Sequence, residues 1–419
     1  MRVLVVGGGG RCHAIVDALS RSGKVDKIFC APGNAGIAHQ AETVPLKDTD
    51  VEGLLGFAET NSIDLTVVGP EAALNAGIVD RFREKGLRIF GPTSAATKIE
   101  SSKEFAKELM IKYGIPTAAY RSFDDYEAAR DYVFSRPVPA VLKYDGLAAG
   151  KGVVVAATYE EADQALRGML LDDRFGKGRV VVEDYLEGPE FSFMCFVSGG
   201  DVWPMPLAQD HKRAYDGNEG PNTGGMGAYS PVPFVTEEER EYAFEAIMKK
   251  TAAAMVLEGV PFTGVLYGGL MKTKDGIKVI EFNARFGDPE TEVILPRLRS
   301  DAYDIFAGVA EGRSIEEPEW DDRAALGVVM ASEGYPGSYG KGFVIAGIPQ
   351  EDNVTVYHMG TSEKEGRLVT SGGRVLMVVG RGETLAQARD RAYGAVSRIE
   401  CDNLFYRTDI GACALERKE

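Results

Sequence analysis

The sequence has few cysteines and histidines, and neither residue type is spaced for a shared role. The five cysteines are scattered and form no Cys-x-x-Cys pair, which argues against a disulfide framework and a zinc cluster. The four histidines lack metal-ligand spacing, and no Ser/His/Asp or Cys/His nucleophile arrangement is evident. We therefore expect a reducing cytoplasm and a chemistry that relies on other side chains.

Positive charge and long apolar runs are also scarce. The chain has 47 Lys and Arg against 63 Asp and Glu, and the resulting net charge of -16 repels nucleic acid. From Met1, the apolar run Val3–Val6 leads directly to four glycines, which is too short for a signal peptide or a membrane span. We expect no membrane or nucleic-acid partner, although local amides, lysines and Mg²⁺ can still bind small phosphorylated substrates.

A chain of 419 residues exceeds one ordinary hydrophobic core, so two or three domains are expected. In residues 1–101, short apolar runs alternate with amphipathic ones, which predicts an α/β domain with a parallel sheet. The loops at Gly69–Glu71 and Gly91–Pro92 follow apolar strands. Open α/β sheets bind ligands at such carboxyl ends, so this edge is the first predicted binding surface.

A second domain is predicted over residues 102–323. Residues 118–188 read as a small α/β unit that could act as a mobile lid. Longer strands follow in residues 190–300, interrupted by a polar, glycine-rich stretch from Gln209 to Ser230 that we interpret as a functional loop.

The remaining residues, 324–419, predict a supporting α+β domain. Three apolar runs in this segment indicate strands, and apolar residues spaced along one face indicate a helix from Leu385 to about Ile399. Thr384 and Gln387 match a capping box at the start of that helix.

Gly7–Gly10 follow the first strand and suggest three alternatives. A dinucleotide site requires a third glycine where Cys12 or His13 stands, and an acidic residue near Phe29–Ala31 that is absent. A phosphate cradle requires only the backbone N–H groups at a helix amino terminus. A tight turn without a ligand is the third alternative.

The segment from Pro139 to Val153 is a strand ending in Lys143, a glycine-rich loop containing Lys151, and a second strand. It is not a P-loop, because three residues separate Gly146 from Gly150 and a strand follows instead of a helix. The pattern indicates a flap whose amides and lysines approach polyphosphate; a plain flexible hairpin is the alternative.

Val180–Glu190 ends a strand with hydrogen-bond acceptors and a turn. This pattern suits a hinge that holds adenine by its backbone and ribose by Glu190, and a solvated turn is the simpler alternative. Further along, Glu281 and Asn283 lie on one face of a predicted strand and offer two oxygen ligands, enough for Mg²⁺. A half-exposed strand end is the alternative, although Ala284–Glu292 adds a cation and carboxylates beside the pair.

Seven motifs occur in order along nearly the whole chain: VVGGGGRCHA, APGNAG, VGPEAAL, FGPTSAA, LKYDGLAAGKGV, QDHKRAYDGNEGPNTGGMGAYSP and EFNARFGDPETE. Together they resemble the glycinamide ribonucleotide synthetase family of ATP-grasp ligases. The last two motifs are specific to that family, whereas the glycine-rich starts are not.

This resemblance implies a fold and a reaction. The fold is an amino-terminal α/β domain, an ATP-grasp domain with a mobile lid, and a carboxyl-terminal domain packed on the first. In the reaction, ATP with Mg²⁺ or Mn²⁺ converts glycine to an acyl phosphate, and 5-phosphoribosylamine attacks it to give glycinamide ribonucleotide, ADP and phosphate. This is the second step of purine biosynthesis, and another ATP-grasp carboxylate–amine ligase is the alternative.

The resemblance also implies roles for individual residues. The catalytic residues are Arg285, Lys143 and Asp210, and the metal ligands are Glu281 and Asn283. Nucleotide is held by Lys103, Lys143, Gly146, Gly150, Lys151, Gly152, Glu183, Leu186 and Glu190. The substrates are held by Gly8, Gly9, Gly10, Asn34, Ala35, Gly36, Pro70, Glu71, Asp210, Lys212, Thr223, Gly224, Gly225, Arg285, Asp288, Pro289 and Glu290.

The chain departs from the family pattern at Cys12 in place of Glu, Tyr144 in place of a small residue, and Glu292 in place of Gln. Two functions of other classes are a nucleotide-sensing module without catalysis and a nicotinamide oxidoreductase. The set of Lys, Glu, Asn and Arg residues argues against the first, and the broken glycine fingerprint against the second. We expect a monomer with a single activity.

Overall fold

The computed structural model describes residues 1–146, 152–172 and 178–416. Its strands form three larger sheets, a fourth sheet in the predicted lid, and two short hairpins. Within the described residues, no helix is long and apolar enough to cross a membrane.

The amino-terminal unit is a five-stranded parallel sheet with helices in its connections, as the alternating sequence pattern predicts. Its strand order is β3-β2-β1-β4-β5, with β1 at Arg2–Gly7, β2 at Lys27–Pro32, β3 at Glu42–Thr43, β4 at Leu65–Val68 and β5 at Ile89–Phe90. The helices are α1 at Gly10–Ser20, α2 at Val51–Thr60, α3 at Glu71–Asn75, α4 at Ile78–Glu84 and α5 at Lys98–Ser101. Because the strands are parallel, the loops after β1, β2 and β4 meet at one edge.

The lid unit follows helix α6, Lys103–Tyr113, which Ser102 caps and Gly114 ends in the left-handed region at φ +62. The lid is an antiparallel sheet of order β6-β9-β7-β8 covered by two helices. Its elements are β6 at Tyr120–Phe123, α7 at Tyr126–Phe134, β7 at Ala140–Asp145, β8 at Val153–Ala156, α8 at Tyr159–Leu170 and β9 at Arg179–Asp184. The lid has its own apolar core, which is consistent with a separate small unit.

The central unit contains a four-stranded antiparallel sheet of order β11-β10-β16-β17. Its strands are β10 at Glu190–Ser198, β11 at Asp201–Pro204, β16 at Thr263–Thr273 and β17 at Gly276–Asn283. Its helices are α9 at Glu237–Ala243, α10 at Lys250–Leu257, α11 at Thr291–Ile294 and α12 at Ala302–Ala310, and a π-helical segment over Phe244–Lys249 joins α9 to α10.

The stretch Gln209–Ser230, interpreted from sequence as a loop, is largely extended structure. Two of its four short strands, β12 at Gln209–Asp210 and β15 at Gly227–Ser230, pair into the sheet of the carboxyl-terminal unit, while β13 at Arg213–Tyr215 and β14 at Glu219–Asn222 form a hairpin. The glycines and charges of this stretch hide the extended pattern. Within the stretch β12 pairs with β15 and β13 with β14, while β15 also pairs with the distant strand at Ala324–Ser332. The sequence therefore indicates that the stretch is functional but does not predict its strands or their partners.

The carboxyl-terminal sheet has the order β12-β15-β18-β22-β19, with a last strand beside β18. Its own strands are β18 at Ala324–Ser332, β19 at Val354–His358, β22 at Arg374–Gly382 and β23 at Leu404–Phe405, and β20 at Thr361–Lys364 pairs with β21 at Arg367–Thr370. The helices are α13 at Leu385–Val396 and α14 at Ala412–Glu416.

Helix α13 ends at Val396, earlier than the predicted Ile399. Its cap is half of the predicted box, because Thr384 accepts a hydrogen bond from the Gln387 N–H, whereas the Gln387 side chain accepts from the Glu383 N–H. The amino-terminal and central units pack through aromatic rings, among them Phe90 with Phe306 at 5.0 Å and with Phe286 at 6.1 Å between ring centroids. This packing brings the carboxyl-end loops of the first sheet against the segment that follows β17.

Candidate active site

Lys143 links the lid to the strand that carries the predicted metal ligands. It lies on β7, is almost fully buried, and its Nζ is 2.8 Å from Glu183 Oε1. The same Nζ donates to the backbone oxygen of Ile280 at 2.8 Å, and Ile280 precedes Glu281 on β17. The predicted phosphate-binding lysine therefore contacts the strand that carries the predicted metal ligands.

The other predicted nucleotide residues lie around this point. At the start of α6, the Lys103 Nζ is 3.5 Å from the Gly146 oxygen and 3.3 Å from the Glu100 oxygen. Gly152 accepts a hydrogen bond from the Tyr144 N–H at 2.8 Å, which holds the base of the flap. Gly150 and Lys151 lie outside the described residues.

Glu183 and the turn after β9 form the connection that leaves the lid. The Glu183 carboxylate faces inward, toward two lysines, so its side chain is not free for a ligand. Leu186 is half-buried in the turn. Glu190, the first residue of β10, holds the Lys212 Nζ at 2.6 Å from its Oε2.

Lys107 is a charged residue of this region that the sequence analysis missed. Its Nζ lies 2.9 Å from Glu183 Oε2 and donates to Thr117 Oγ1 at 2.7 Å. Burial lowers the pKa of Lys107 to about 8, because the attraction of Glu183 is insufficient and Lys143 repels it. A lysine inside an amphipathic helix normally points to solvent, so no sequence signal marked this one.

Glu281 and Asn283 are alternate residues of β17, so they share a face of the sheet as predicted. Burial alone would raise the pKa of Glu281, but nearby cations, Lys212 first and Lys143 second, lower it below its usual value. No cluster of three or more His, Cys, Asp or Glu side chains suited to a metal exists among the described residues. Two hard oxygen ligands are nevertheless what Mg²⁺ commonly takes from protein, so the pair fits that ion.

Arg285 is enclosed by acceptors. Its Nη2 donates to Asn283 Oδ1 at 3.1 Å and lies 3.2 Å from Glu100 Oε1. Its Nε is 3.5 Å from Oε2 of Glu71, the first residue of α3, which follows Pro70. The guanidinium therefore lies beside the metal pair and also faces the amino-terminal unit.

Asp210, Lys212, Glu190 and Glu290 form a charged group beside β12. Burial raises the pKa of Asp210 to about 7; Lys212 opposes this rise, and Glu290 and Glu190 add to it. Burial would lower the pKa of Lys212, but Asp210 and Glu190 raise it well above its usual value. Carboxylates outnumber the cation here, which favours binding of a further positive group.

Glu290 is held by two hydroxyl groups that the sequence analysis missed. Its Oε1 accepts from Ser192 Oγ at 2.9 Å and from Tyr267 OH at 2.8 Å. Both residues lie inside apolar strands, β10 and β16, so nothing in the local pattern marks them as polar partners.

The glycine cradle at the first strand is braced by Asn34. Its Nδ2 donates to the oxygens of Gly8 and His358 at 2.8 Å each, and its Oδ1 accepts from the Gly36 N–H at 2.9 Å. The Ala35 N–H reaches the Thr361 oxygen at 3.4 Å. The side chain of Asn34 therefore shapes the cradle and has its hydrogen-bonding groups in use.

Helix α1 begins at Gly10 after Gly9, beside a buried carboxylate. The Arg11 N–H in its first turn donates to Asp288 Oδ2 at 3.3 Å, and the Arg11 Nε lies 3.4 Å from the same oxygen. Its Nη1 is 3.4 Å from Glu71 Oε2. One end of the predicted phosphate cradle is therefore already approached by Asp288.

Arg374 of the carboxyl-terminal unit completes this group. Its Nη2 is 2.9 Å from Asp288 Oδ1, and its Nη1 donates to the oxygens of Gly224 at 2.7 Å and Asp288 at 3.0 Å. Tyr335 OH accepts from the Gly224 N–H at 2.9 Å. Arg11, Arg374 and Tyr335 were not predicted, because their partners come from other units of the chain.

The remaining predicted residues lie in the loop before β15. Thr223 Oγ1 donates to the Lys212 oxygen at 2.9 Å and accepts from the Gly225 N–H at 2.9 Å. Gly225 has a φ of +114 and lies so close to Pro289 that a Cβ there would be 2.4 Å from the proline ring. Both constraints require glycine at this position.

The three departures from the family pattern are all buried. Cys12 Sγ lies between Gly7 and Gly69, where a Cβ on either glycine would be 2.4 Å from the sulfur, and burial raises the pKa of Cys12 to about 12. Burial, with the repulsion of Asp288, raises the pKa of Glu292 well above its usual value. Tyr144 packs in the lid core.

Matches to known families cover most of the chain. Residues 1–100 match the model of the phosphoribosylglycinamide synthetase N domain, residues 101–291 match its ATP-grasp (A) domain, and residues 325–413 match its C domain. These matches, with the fold and the site, place the chain among the ATP-grasp enzymes.

Comparisons with individual proteins support the same family. The phosphoribosylamine–glycine ligase of Halalkalibacterium halodurans is 52% identical over 421 residues, covering 100% of this chain and 98% of the relative. The crystal structure of phosphoribosylamine–glycine ligase from Thermotoga maritima has a TM-score of 0.85 at 35% identity, covering 98% of this chain and 100% of that chain. The chain belongs to the phosphoribosylglycinamide synthetase family.

The fold itself is shared more widely. The biotin carboxylase structure from Campylobacter jejuni has a TM-score of 0.76 at 15% identity, over 97% of this chain and 92% of that chain. At this identity the likeness concerns the fold alone.

Proposed function

We propose that the chain joins glycine to 5-phosphoribosylamine with ATP, the second step of purine biosynthesis. A carboxylate oxygen of glycine attacks the γ-phosphorus of ATP, and ADP leaves. The amine of phosphoribosylamine then attacks the carbonyl carbon of glycyl phosphate, phosphate leaves, and the amine loses a proton. The products are glycinamide ribonucleotide, ADP and phosphate.

One observation carries this proposal: the lid lysine Lys143 meets the backbone of β17 directly beside Glu281. A cation for the nucleotide phosphates and an oxygen pair for Mg²⁺ or Mn²⁺ are thereby adjacent, as phosphoryl transfer requires. A bound Mg²⁺ would neutralise charge on the phosphates, with Glu281 and Asn283 as its protein ligands.

The nucleotide is proposed to bind between the lid and the central sheet. Its phosphates contact Lys103, Lys143 and the flap residues Gly146, Gly150, Lys151 and Gly152. The backbone from Glu183 to Leu186 holds adenine and Glu190 holds ribose, although Lys212 already engages the Glu190 carboxylate. Closure of residues 118–188 excludes water from the acyl phosphate.

Glycine is proposed to bind beside Asp210. Its ammonium group satisfies the excess of carboxylates formed by Asp210 and Glu290. Burial, with the repulsion of Glu290, raises the pKa of Asp210. Arg285, next to the metal pair, holds the glycine carboxylate with its planar fork and later stabilises the transferred phosphoryl group. Lys212 and the loop Thr223–Gly225 form the rest of the proposed glycine site.

Phosphoribosylamine is proposed to bind at the edge of the amino-terminal sheet. The cradle residues that receive it are Gly8, Gly9, Gly10, Asn34, Ala35, Gly36, Pro70, Glu71, Asp288 and Pro289. Asn34 keeps the two cradle loops together through the oxygen of Gly8 and the N–H of Gly36. The carboxylate of Asp288 offers an acceptor for a ribose hydroxyl, and the backbone N–H groups of Gly8–Gly10, at the start of α1, offer donors for phosphate.

Isotope transfer tests the acyl phosphate route. Glycine labelled with oxygen-18 in its carboxylate is incubated with ATP, Mg²⁺ and phosphoribosylamine, and each component is omitted in turn. We expect label in the released phosphate only in the complete mixture, with other amino acids giving none. Label confined to the ligation product would exclude the acyl phosphate, and Glu281→Gln, which lacks a charged metal ligand, serves as the inactive control.

A further inference from the structure

Lys107 lies where the chain both enters and leaves the lid. Its Nζ donates to Thr117 Oγ1 at 2.7 Å and to the Ala118 oxygen at 3.5 Å, on the segment that leads into β6. The same Nζ lies 2.9 Å from Glu183 Oε2, on the strand that leads out. One ammonium group therefore contacts both connections of the lid.

The three charges of this cluster are strongly shielded from water. The side chains of Lys107, Lys143 and Glu183 are 2%, 4% and 4% exposed. A buried charge is tolerated only when partners replace its water, and here one carboxylate serves two lysines. The lowered pKa of Lys107 is consistent with this competition.

The two lysines use different oxygens of the shared carboxylate. Lys107 contacts Glu183 Oε2. Lys143 contacts Glu183 Oε1 at 2.8 Å and also donates to the Ile280 oxygen. The contact with the Ile280 oxygen is a hydrogen bond and the contact with Glu183 Oε1 is an ion pair. Because an ammonium has three donors, Lys143 keeps a donor for a phosphate oxygen. If Lys107 were absent, both carboxylate oxygens would be free to attract Lys143.

We propose that Lys107 is a positioning residue for the nucleotide, which holds the Glu183 carboxylate so that Lys143 stays directed to the phosphates. This inference rests on the proposed role of Lys143 in nucleotide binding. It adds a residue that never touches the nucleotide and acts through Glu183. It also makes the lid hinge and the phosphate-binding lysine parts of one charge cluster.

The test compares Lys107→Met, Glu183→Gln and the double variant in the full chain. Lys107→Met should weaken MgADP binding, measured by calorimetry, by about tenfold, the loss that matches one charge-assisted hydrogen bond. The KM for glycine should stay within about twofold, since no cluster residue contacts the proposed glycine site. Lys112→Met on the exposed side of the same helix is the matched control and should bind MgADP normally.

The double variant separates positioning from mere packing. With Glu183→Gln, the carboxylate that captures Lys143 is gone, so Lys107→Met/Glu183→Gln should bind MgADP more tightly than Lys107→Met alone. A double variant no better than Lys107→Met overturns the inference, and so does a Lys107→Met protein with normal MgADP affinity.

Two further variants keep the result interpretable. Thr117→Val removes one acceptor of Lys107 without changing any charge, and it should weaken MgADP about threefold even if Lys107→Met fails to fold. Unchanged affinity in Thr117→Val overturns the inference. Lys143→Ala separates failure of the proposed nucleotide role of Lys143 from failure of the positioning role of Lys107. Normal MgADP binding in Lys143→Ala overturns the proposed role of Lys143. Weak MgADP binding in Lys143→Ala together with normal binding in Lys107→Met overturns only the role of Lys107.

Discussion

Two buried clusters in this molecule have the same arrangement of charges and are built from different residue types. In each, one carboxylate lies between two cations: Glu183 between Lys107 and Lys143, and Asp288 between Arg11 and Arg374. The lysines are point charges that contact the carboxylate and a few nearby oxygens. The arginines are planar forks. Both kinds of cation donate to backbone oxygens, Lys143 to Ile280 and Arg374 to Gly224, but the fork of an arginine fixes the directions of its donors.

The choice of lysine or arginine in each cluster fits the units of the chain that the cluster connects. The lysine cluster connects the lid to the body, and an ammonium with rotatable donors can keep its contacts while two units shift. The arginine cluster joins Arg11 of the amino-terminal unit to Asp288 of the central unit and Arg374 of the carboxyl-terminal unit. Its fixed fork geometry suits a junction that stays in place, so we expect motion at the first cluster and rigidity at the second.

The largest effect is expected from Asp288→Asn. Removing the carboxylate leaves two largely buried guanidinium groups without their shared partner, and the loss of one member of such a group costs about 3–5 kcal/mol. We expect a drop of that size in the free energy of unfolding in urea, together with a raised KM for phosphoribosylamine. Asp304→Asn, in an exposed pair with Lys24, should leave stability nearly unchanged, because solvent screens the pair. Equal effects of the two variants would show that the arginine cluster contributes no more to stability than an exposed ion pair.

Lys143→Ala should have a smaller effect and one confined to the nucleotide. Its charge is proposed to lie on the phosphates, so the apparent KM for ATP should rise about 10- to 100-fold, while that for glycine changes little. Steady-state kinetics with each substrate varied provides the measurement, and Lys98→Ala on the exposed side of α5 is the control. Parallel rises in both KM values would contradict the assignment of Lys143 to the nucleotide.

The lid should respond to nucleotide and the arginine cluster should not. Hydrogen exchange with a non-hydrolysable ATP analogue is expected to slow about tenfold in β6 and β9, because closure buries the lid connections. Peptides that contain Arg11 and Arg374 should exchange at unchanged rates. Equal protection of both regions would mean that nucleotide slows exchange throughout the molecule, which would contradict a specific closure of the lid.

A further effect is expected on the pH dependence of stability. Because the folded pKa of Lys107 is lowered to about 8, the unfolded chain keeps this proton to a higher pH than the folded protein. Stability should therefore rise between about pH 8 and about pH 10.4 in the wild type relative to Lys107→Met, by roughly 3 kcal/mol at most. Unfolding in urea across this range would reveal it, and parallel curves would contradict it.

Asp288 should show the opposite window. Its pKa is lowered because Arg374 and Arg11 outweigh the effect of burial, so its contribution is complete above about pH 3.9 and is lost as the pH falls through the folded value. Wild type and Asp288→Asn should thus keep a constant difference above pH 8.

The sequence predicted those parts of the molecule in which local pattern decides the structure. The parallel sheet, the lid strands and the shared face of Glu281 and Asn283 follow from alternation and strand length, and the structure confirms them. Lys107 and Arg374 could not be found in this way. Their importance comes from carboxylates elsewhere in the chain, and such pairing leaves no periodic signal around either residue.

The same limit applies to the stretch Gln209–Ser230. Its composition marks it as unusual, yet β15, to which β12 pairs, finds its place beside β18, which lies about a hundred residues later in the chain. Ser192 and Tyr267 illustrate the complementary case, since each sits in an apolar strand and becomes a polar partner of Glu290 only after folding.

The pairing of β15 with β18 also affects how the chain could be divided. A cut after residue 323 would leave β12 and β15 in one fragment and β18, the neighbour of β15, in the other. Each fragment would then expose a row of unpaired N–H and C=O groups, which is the edge from which strands of different molecules aggregate. The two pieces should therefore be soluble only when they are produced together, and any gene fusion or exchange of the last unit would have to carry Gln209–Ser230 with it.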